Sequence, residues 1–300
     1  MNVLNEQVKS FSSSGILPIS QSNVYGLSIS HVSDLPLTGS GESYFNCGTF
    51  FTVGCLNVEK HKNTNLDGVN MDGKVLLRRR KVSCHRAICP TCWGDWANRE
   101  SKRAVYRLNQ YRIRDSKNTY KKPIHVVVSV PFSDYDLSVQ EMRRKAYRSL
   151  NRVHFLGGMM IYHPKRYNRF KGWYFSPHFH VVGYGWLTDV RKNYIYSGYI
   201  VKNVGIRKTV HGTLYYQLSH CGISKDVHTV TWFGRLSYSK LKIKYPVEEK
   251  EVCPLCGGQL RTLIWVGSGS CNLLDVEGIT FFDDPQNWIV KPKLKREYTV

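Results

Sequence analysis

The chain has 300 residues, 42% of them hydrophobic, enough for a sizeable core and too many for global disorder. Against 22 Asp+Glu stand 43 Lys+Arg, and the formal net charge of +21 implies a polyanionic partner. There is no 18-residue apolar run and no basic segment leading into an apolar one, so neither a membrane span nor a signal peptide is expected, and the reading is a cytoplasmic protein without a membrane partner.

Residues 1–45 are rich in Ser and Gly without periodicity and read as a poorly ordered leader. Residues 46–115 form an N-terminal zinc-binding region and a basic helix. "CHRAICPTC" supplies Cys84, Cys89 and Cys92, and tetrahedral zinc needs four ligands. Cys47 or Cys55 would complete the set, with His85 a weaker candidate. In a reducing compartment a CxxC pair reads as a knuckle or a redox pair rather than a disulfide. A helix is expected over about 95–111, with Trp96, Ala97, Ala104, Leu108 and Tyr111 on its apolar stripe and Arg99, Lys102, Arg103 and Arg107 elsewhere.

Residues 116–245 carry strand and helix signals in alternation. "PIHVVVSVP" reads as a buried strand, and "SDYDLSVQEMRRKAYRSLNRVHF" as a helix capped at Ser133-Asp134. "LGGMMIYHP", 173–186 and "SGYIVKNVG" follow as strands. "GTLYYQLSHCG" is a short helix bounded by glycines, and "VHTVTWFGRLS" a last strand. This order predicts an α+β sheet with helices on one side. Residues 246–275 contain Cys253 and Cys256 in "CPLCGG", then a strand, resembling half of a zinc ribbon. No second CxxC follows, so its other ligands must come from elsewhere: His220 and His228 are preferred, with Cys221 and Cys271 also available. Residues 276–300 end in a basic tail.

Basic runs recur at 78–81, 143–145, 165–166, 191–192, 207–208 and 291–296. Aromatics are interleaved with them, among them Tyr167, Phe170, Trp173 and Tyr174. Cations for phosphates with rings for unstacked bases suit single-stranded nucleic acid.

In "SPHFHVVGYG", His178 and His180 lie two apart, so on a strand both imidazoles share one face and Phe179 and Val181 the other. Such a pair is either a polar feature of a core or half of a metal site. A His pair, a nearby tyrosine and a polyanion fit phosphodiester chemistry. In it a divalent cation polarises the phosphate and a tyrosine hydroxyl attacks it.

These residues resemble a known family. "HFH" looks like the His-hydrophobe-His motif of the HUH endonucleases, "HVVVSVP" occupies the place of their first motif strand, and "LYYQLSH" that of their nucleophile helix. With the upstream "CHRAICPTC" and with "TWFGRLSY", the pattern is most similar to rolling-circle replication initiators (Rep proteins) of archaeal plasmids and viruses, over roughly 45–265. The resemblance implies a central antiparallel sheet with helices on one side and zinc-knuckle additions. It makes His178 and His180 ligands of Mg²⁺ or Mn²⁺, with His163 the first candidate for a third ligand and His125 the second. It makes Tyr216 the nucleophile and Tyr215 the runner-up, only one of which can face the metal, since helical neighbours differ by about 100°. The family's lysine three residues after the tyrosine is absent: Ser219 and Leu218 stand there, and His220 is the nearby polar alternative.

The activity implied is a DNA nickase and joiner that starts rolling-circle replication in a host cytoplasm, using single-stranded origin DNA, structural Zn²⁺ and a host polymerase. No G-x-x-x-x-G-K-[ST] motif occurs, so the helicase would be a separate partner. The alternatives are an HUH-type transposase and a non-catalytic zinc-ribbon DNA-binding regulator.

Overall fold

The computed structural model describes residues 35–66, 68–114, 122–170, 172–224, 228–246, 251–268, 278 and 280–292. In chain order these form β1 (Phe50–Cys55), β2 (Asn65–Leu66), β3 (Val69–Asn70), β4 (Val75–Lys81) and α1 (Trp93–Arg114). Next come β5 (Ile124–Ser129), α2 (Val139–Arg152), β6 (Phe155–Asn168), β7 (Gly172–Gly185) and α3 (Val190–Ser197). Then follow β8 (Ile200–Asn203), α4 (Val210–Leu218), β9 (Val230–Gly234), β10 (Arg261–Trp265), β11 (Thr280–Asp283) and β12 (Trp288–Val290). The architecture is mixed α+β, with two five-stranded antiparallel sheets joined through α1, and a small β2–β3 hairpin.

The central sheet has the order β8-β5-β7-β6-β9. Its strands alternate as their period of two requires. Val126, Val128, Met160, Tyr162, Phe179 and Val181 pack with Met142, Ala146 and Leu150 of α2. Met159, Ile161, Val182 and Tyr184 face the other way, onto Ala97, Ala104 and Leu108 of α1 and Leu214 and Leu218 of α4. Helices therefore cover both faces, which corrects the one-sided arrangement expected from element order. The physical reason lies in runs such as "HVVVSV" and "GGMMIY", apolar at odd and even positions alike, so each face needs a cover. Close strand approach fixes one position: a Cβ on Gly183 would collide with the carbonyl oxygen of Gly157 on the paired strand.

Two local expectations also change. Ser133 and Asp134 lie in a 3-10 turn, and α2 starts later, under Ser138, whose hydroxyl accepts from the Glu141 amide in a reciprocal capping box. Arg107 is not on a solvated face. It is buried against the end of the central sheet and donates to the carbonyls of Leu236, Ser237 and Leu241 at 2.7–2.9 Å. It thus pins the segment after β9 to α1.

The terminal sheet has the order β11-β4-β1-β10-β12 and was not signalled by the sequence. β1 pairs with β10, Thr52 opposite Leu263, so the cysteine-rich N-terminal region and the C-terminal half-ribbon share one sheet. Its cores are small: Val75, Leu77, Leu263 and Trp288 on one side, Cys55, Leu76 and Cys253 on the other. Within the Ser/Gly-rich leader, residues 36–41 are tied down through their backbones. Gly39 and Gly41 donate to Ala87 and Ile88, and Pro36 accepts from Ile223. Residues 1–34, Cys271 and the tail beyond Pro292 lie outside the described residues. Among the described residues no helix is long and apolar enough to cross a membrane.

Candidate metal centres

His163 on β6 and His178 on β7 are register partners, and His180 follows two residues on, so all three project from the α1/α4 face of the sheet. Their ligand atoms lie within 4.8 Å of one another. His163 and His178 are buried and His180 partly so. Burial pushes His178 down to about 3, with the Arg166 guanidinium adding to it. Burial also holds His163 and His180 well below the usual imidazole range, and the crowded neighbouring histidines push them the same way. All three are therefore neutral at pH 7, the form that ligates metal.

Hydrogen bonds set the tautomers. A carbonyl can only accept, so the His178 Nδ1–H donates to the Ser176 carbonyl at 2.8 Å and leaves Nε2 free. His125 Nδ1–H likewise donates to the Gly205 carbonyl at 3.1 Å. Burial lowers the His125 pKa, so its Nε2 is an acceptor, and at 2.9 Å it takes the Nδ1–H of His180. His180 Nε2 is then free as well. His125, the second candidate for third ligand, instead orients a ligand, as carbonyls and carboxylates do in metal sites. His163 occupies the ligand position; it is 1% exposed, and neither ring nitrogen has a hydrogen bond of good geometry, the Gln217 backbone offering at most a poorly aligned one. A poorly satisfied buried imidazole costs free energy, part of which ligation of one ring nitrogen would recover, so the residues fit a cation. A β-bulge at His163/Lys165 ends the regular pairing beside the cluster.

α4 sets the tyrosines. Thr209 caps it by accepting from the Gly212 amide, and Thr213, Leu214, Gln217 and Leu218 form its buried stripe. Tyr215 turns toward α1, where its ring lies 6.2 Å from Trp93 and stacks on His211 at 6.3 Å. Tyr216 turns the other way, half exposed. Its ring sits 4.7 Å from His220, which in turn sits 4.7 Å from His163. The Arg207 guanidinium lies 3.5 Å from the centre of the Tyr216 ring. Its contact with His163 puts His220 at the edge of this site, and burial, with a smaller contribution from Arg207, lowers its pKa. Gln217, buried with its side-chain oxygen unpartnered, lies on the same helix face as the sheet contact.

Two further clusters carry cysteine. Cys47, Cys84, Cys89 and Cys92 form one, joining the start of β1, the chain after β4 and the N-terminus of α1. Cys55, His61, Cys253 and Cys256 form the other. In both, the ligand atoms lie within 4.8 Å of one another, and both can hold a metal such as zinc. The choice left open for the first cluster thus falls to Cys47, and Cys55 belongs to the second. His220 and His228 do not complete the second cluster: His220 lies in the histidine site, and His228 offers its carbonyl to Arg143 at 2.7 Å. Spacing could not find His61, which stands alone six residues after Cys55. It becomes a ligand candidate through its Nδ1–H bond to the Lys74 carbonyl at 2.9 Å, which turns Nε2 toward Cys253 Sγ at 3.4 Å. Burial and crowded thiols raise Cys55 and Cys84 to about 12. Burial opposes ionisation of Cys89 and Cys256 too, but hydrogen bonds from backbone N–H groups and from neighbouring cluster side chains outweigh it and bring them to about 6 and about 7. A bound dication would favour the thiolate at all of them.

No family model matches this chain, no match is found among the curated proteins, and no solved structure matches it, so its function has to be read from the geometry of its own clusters.

Proposed function

We propose that the chain is a metal-dependent DNA-nicking and joining endonuclease with an HUH-type central domain, which starts rolling-circle replication through a covalent phosphotyrosine. The observation that carries this reading is the succession Tyr216, His220, His163 in 4.7 Å steps, ending on three converging neutral imidazoles. A divalent cation held by His163, His178 and His180 would polarise the scissile phosphate and offset charge growing on its oxygens. Of the two ions expected, three imidazoles suit Mn²⁺ better than Mg²⁺, which prefers oxygen ligands.

The remaining chemistry belongs to side chains. The Tyr216 phenol loses its proton and its oxygen attacks phosphorus. A bond from phosphorus to the tyrosine oxygen forms, the bond to the DNA 3′ oxygen breaks, and that oxygen takes up a proton to leave as a 3′ hydroxyl. Because one diester replaces another, the step reverses when a 3′ hydroxyl attacks the phosphotyrosine, which is joining. Arg207, 3.5 Å from the centre of the Tyr216 ring, stands ready for the substrate phosphate. His125 holds His180 in its ligating tautomer. The 3′ hydroxyl would prime a host polymerase, with a separate helicase opening the duplex. The two cysteine clusters serve as structural zinc sites.

The test is a denaturing gel of the chain incubated with Mn²⁺ and single-stranded DNA from its own replicon's origin. A covalent adduct is expected, lost in Tyr216→Phe and His178→Ala and kept in Tyr215→Phe. Tight DNA binding without an adduct on either origin strand would overturn the reading in favour of a non-catalytic zinc-ribbon DNA-binding protein.

A further inference from the structure

β6 and β7 outrun the rest of the central sheet. β5 pairs with β7 only as far as His178, and β9 pairs with β6 only over Gly157–Ile161. Beyond the His163–His178 pair the two strands continue alone, as Lys165–Phe175, Arg166–Tyr174, Tyr167–Trp173 and Asn168–Gly172. The result is a two-stranded ribbon about 14 Å long, rooted at the histidine cluster.

Phe175 at its root packs edge-on against Tyr135, but the outer rings do not pack inward. Tyr167 is 64% exposed, Phe170 80%, Trp173 45% and Tyr174 42%. Tyr167 and Trp173 meet edge to face at 5.6 Å on one side of the ribbon. Tyr174 lies opposite Arg166 on the other side, where Arg166 donates to Ser129 at 2.7 Å and comes within electrostatic reach of His178. The charge is of one sign: this stretch of sequence carries Lys165, Arg166, Arg169 and Lys171, and no Asp or Glu occurs from Met142 to Thr188. Exposed rings of this size on a free ribbon mark an interaction site, and the charge makes the partner an anion.

We propose that this ribbon is the arm that binds single-stranded DNA and leads it to the histidine cluster. Rings stack on the faces of unpaired bases, whereas a duplex offers its phosphates and base edges to polar groups. The ribbon presents rings on both sides, with cations between them, and its base is the cluster itself. The inference extends the nickase reading by naming what holds its substrate.

The experiment uses the full chain and fluorescence anisotropy with a labelled oligo-dT of about 20 nucleotides, beside a duplex of equal length. Trp173→Ala with Tyr174→Ala is expected to weaken single-strand binding by about 10-fold or more while duplex binding changes less than about two-fold. Trp173→Phe keeps a ring and should keep most of the affinity. Lys165→Gln with Arg169→Gln should lower the salt slope for the single strand by about 1.4. All these side chains but Lys165 are exposed, and circular dichroism confirms that the variants fold. Unchanged single-strand affinity in the Trp173/Tyr174 variant overturns the proposal, as does an equal loss on duplex. The covalent-adduct assay separates the two claims. A ribbon that binds while no adduct forms leaves this inference standing without the nickase, and an adduct formed while ribbon variants bind normally does the reverse.

Discussion

The two sheets use the residues that could hold a metal in opposite ways. In the central sheet the histidines stand on long, paired strands between two cores of 16 and 12 buried hydrophobic residues. Packing builds this frame, and the cluster rides on it. In the terminal sheet the cores hold four and three such residues, and the strands come from chain segments about 200 positions apart. There the cluster ties Cys55 and His61 to the Cys253/Cys256 knuckle, and Gly257 takes a positive φ of 68° so that the knuckle can turn. The fold holds the histidines, whereas in the terminal sheet a metal on the cysteines would hold the fold.

The comparison is broken most directly by removing metal. Zinc binding contributes about 10–16 kcal/mol to small zinc-dependent folds, as much as the whole stability of an ordinary domain. Chelation, or Cys253→Ser, should therefore unfold the terminal sheet and leave the central one standing. Hydrogen exchange reads this out: amides of β1, β4 and β10 should lose protection while those of β6 and β7 keep it. Loss of protection in both sheets at the same chelator concentration would make them one cooperative unit and defeat the contrast.

His178→Ala is the converse. It removes a candidate ligand from a frame built by packing, so on the proposed nickase reading covalent-adduct formation should fall by at least about 100-fold, the usual scale for losing a group that acts on the transition state. The melting temperature should move by no more than about 4 °C. A large drop in melting temperature would mean that this cluster, too, is structural.

The sequence made the central sheet readable because period and punctuation agreed there. The strands from "PIHVVVSVP" to "VHTVTWFGRLS" appear where short apolar runs bounded by prolines and glycines put them, and α1 extends only slightly beyond its apolar stripe. The His178–His180 pair was legible for the same reason: a period of two places both rings on one face. What stayed hidden depends on distant pairing. Nothing local says that β1 meets β10, so His61 could not be matched to Cys253, nor Cys55 moved from one cluster to the other. The sequence places Arg107 only off the apolar stripe, because its partners are backbone carbonyls more than a hundred residues away. His125 reads from the sequence as a second candidate for the third ligand, because its role depends on the bond it accepts from His180, 55 residues away.

A finer test sharpens the claim that the frame presets the histidines. His125→Ala leaves all three candidate ligands in place but frees the His180 ring from its tautomer. Losing such an outer partner usually costs about 10–100-fold in metal affinity. Titration with Mn²⁺ followed by electron paramagnetic resonance should show that weakening, with hydrogen exchange of β6 and β7 unchanged. Unaltered affinity would mean that the strand alone orients His180.

The smallest expected effect is at Tyr215. Its ring lies on Trp93, the residue after Cys92, and on His211, so it belongs to the joint between α4 and the four-cysteine cluster rather than to the histidine site. Tyr215→Phe keeps that ring, and adduct formation should stay within about two-fold of the parent chain, because nothing in the contacts on the histidine side changes. Tyr215→Ala removes the packing and should act through stability, by roughly 3 kcal/mol for loss of a large aromatic, visible as easier release of α4 from α1. If Tyr215→Phe instead abolished the adduct while Tyr216→Phe spared it, α4 would have to turn by about 100° to bring its other tyrosine over the cluster. The buried stripe of Thr213, Leu214, Gln217 and Leu218 resists that rotation, since it would expose Leu214 and Leu218 and bury the half-exposed Tyr216. The Tyr215 pair of variants therefore tests whether packing of the central fold, rather than the metal, chooses the nucleophile.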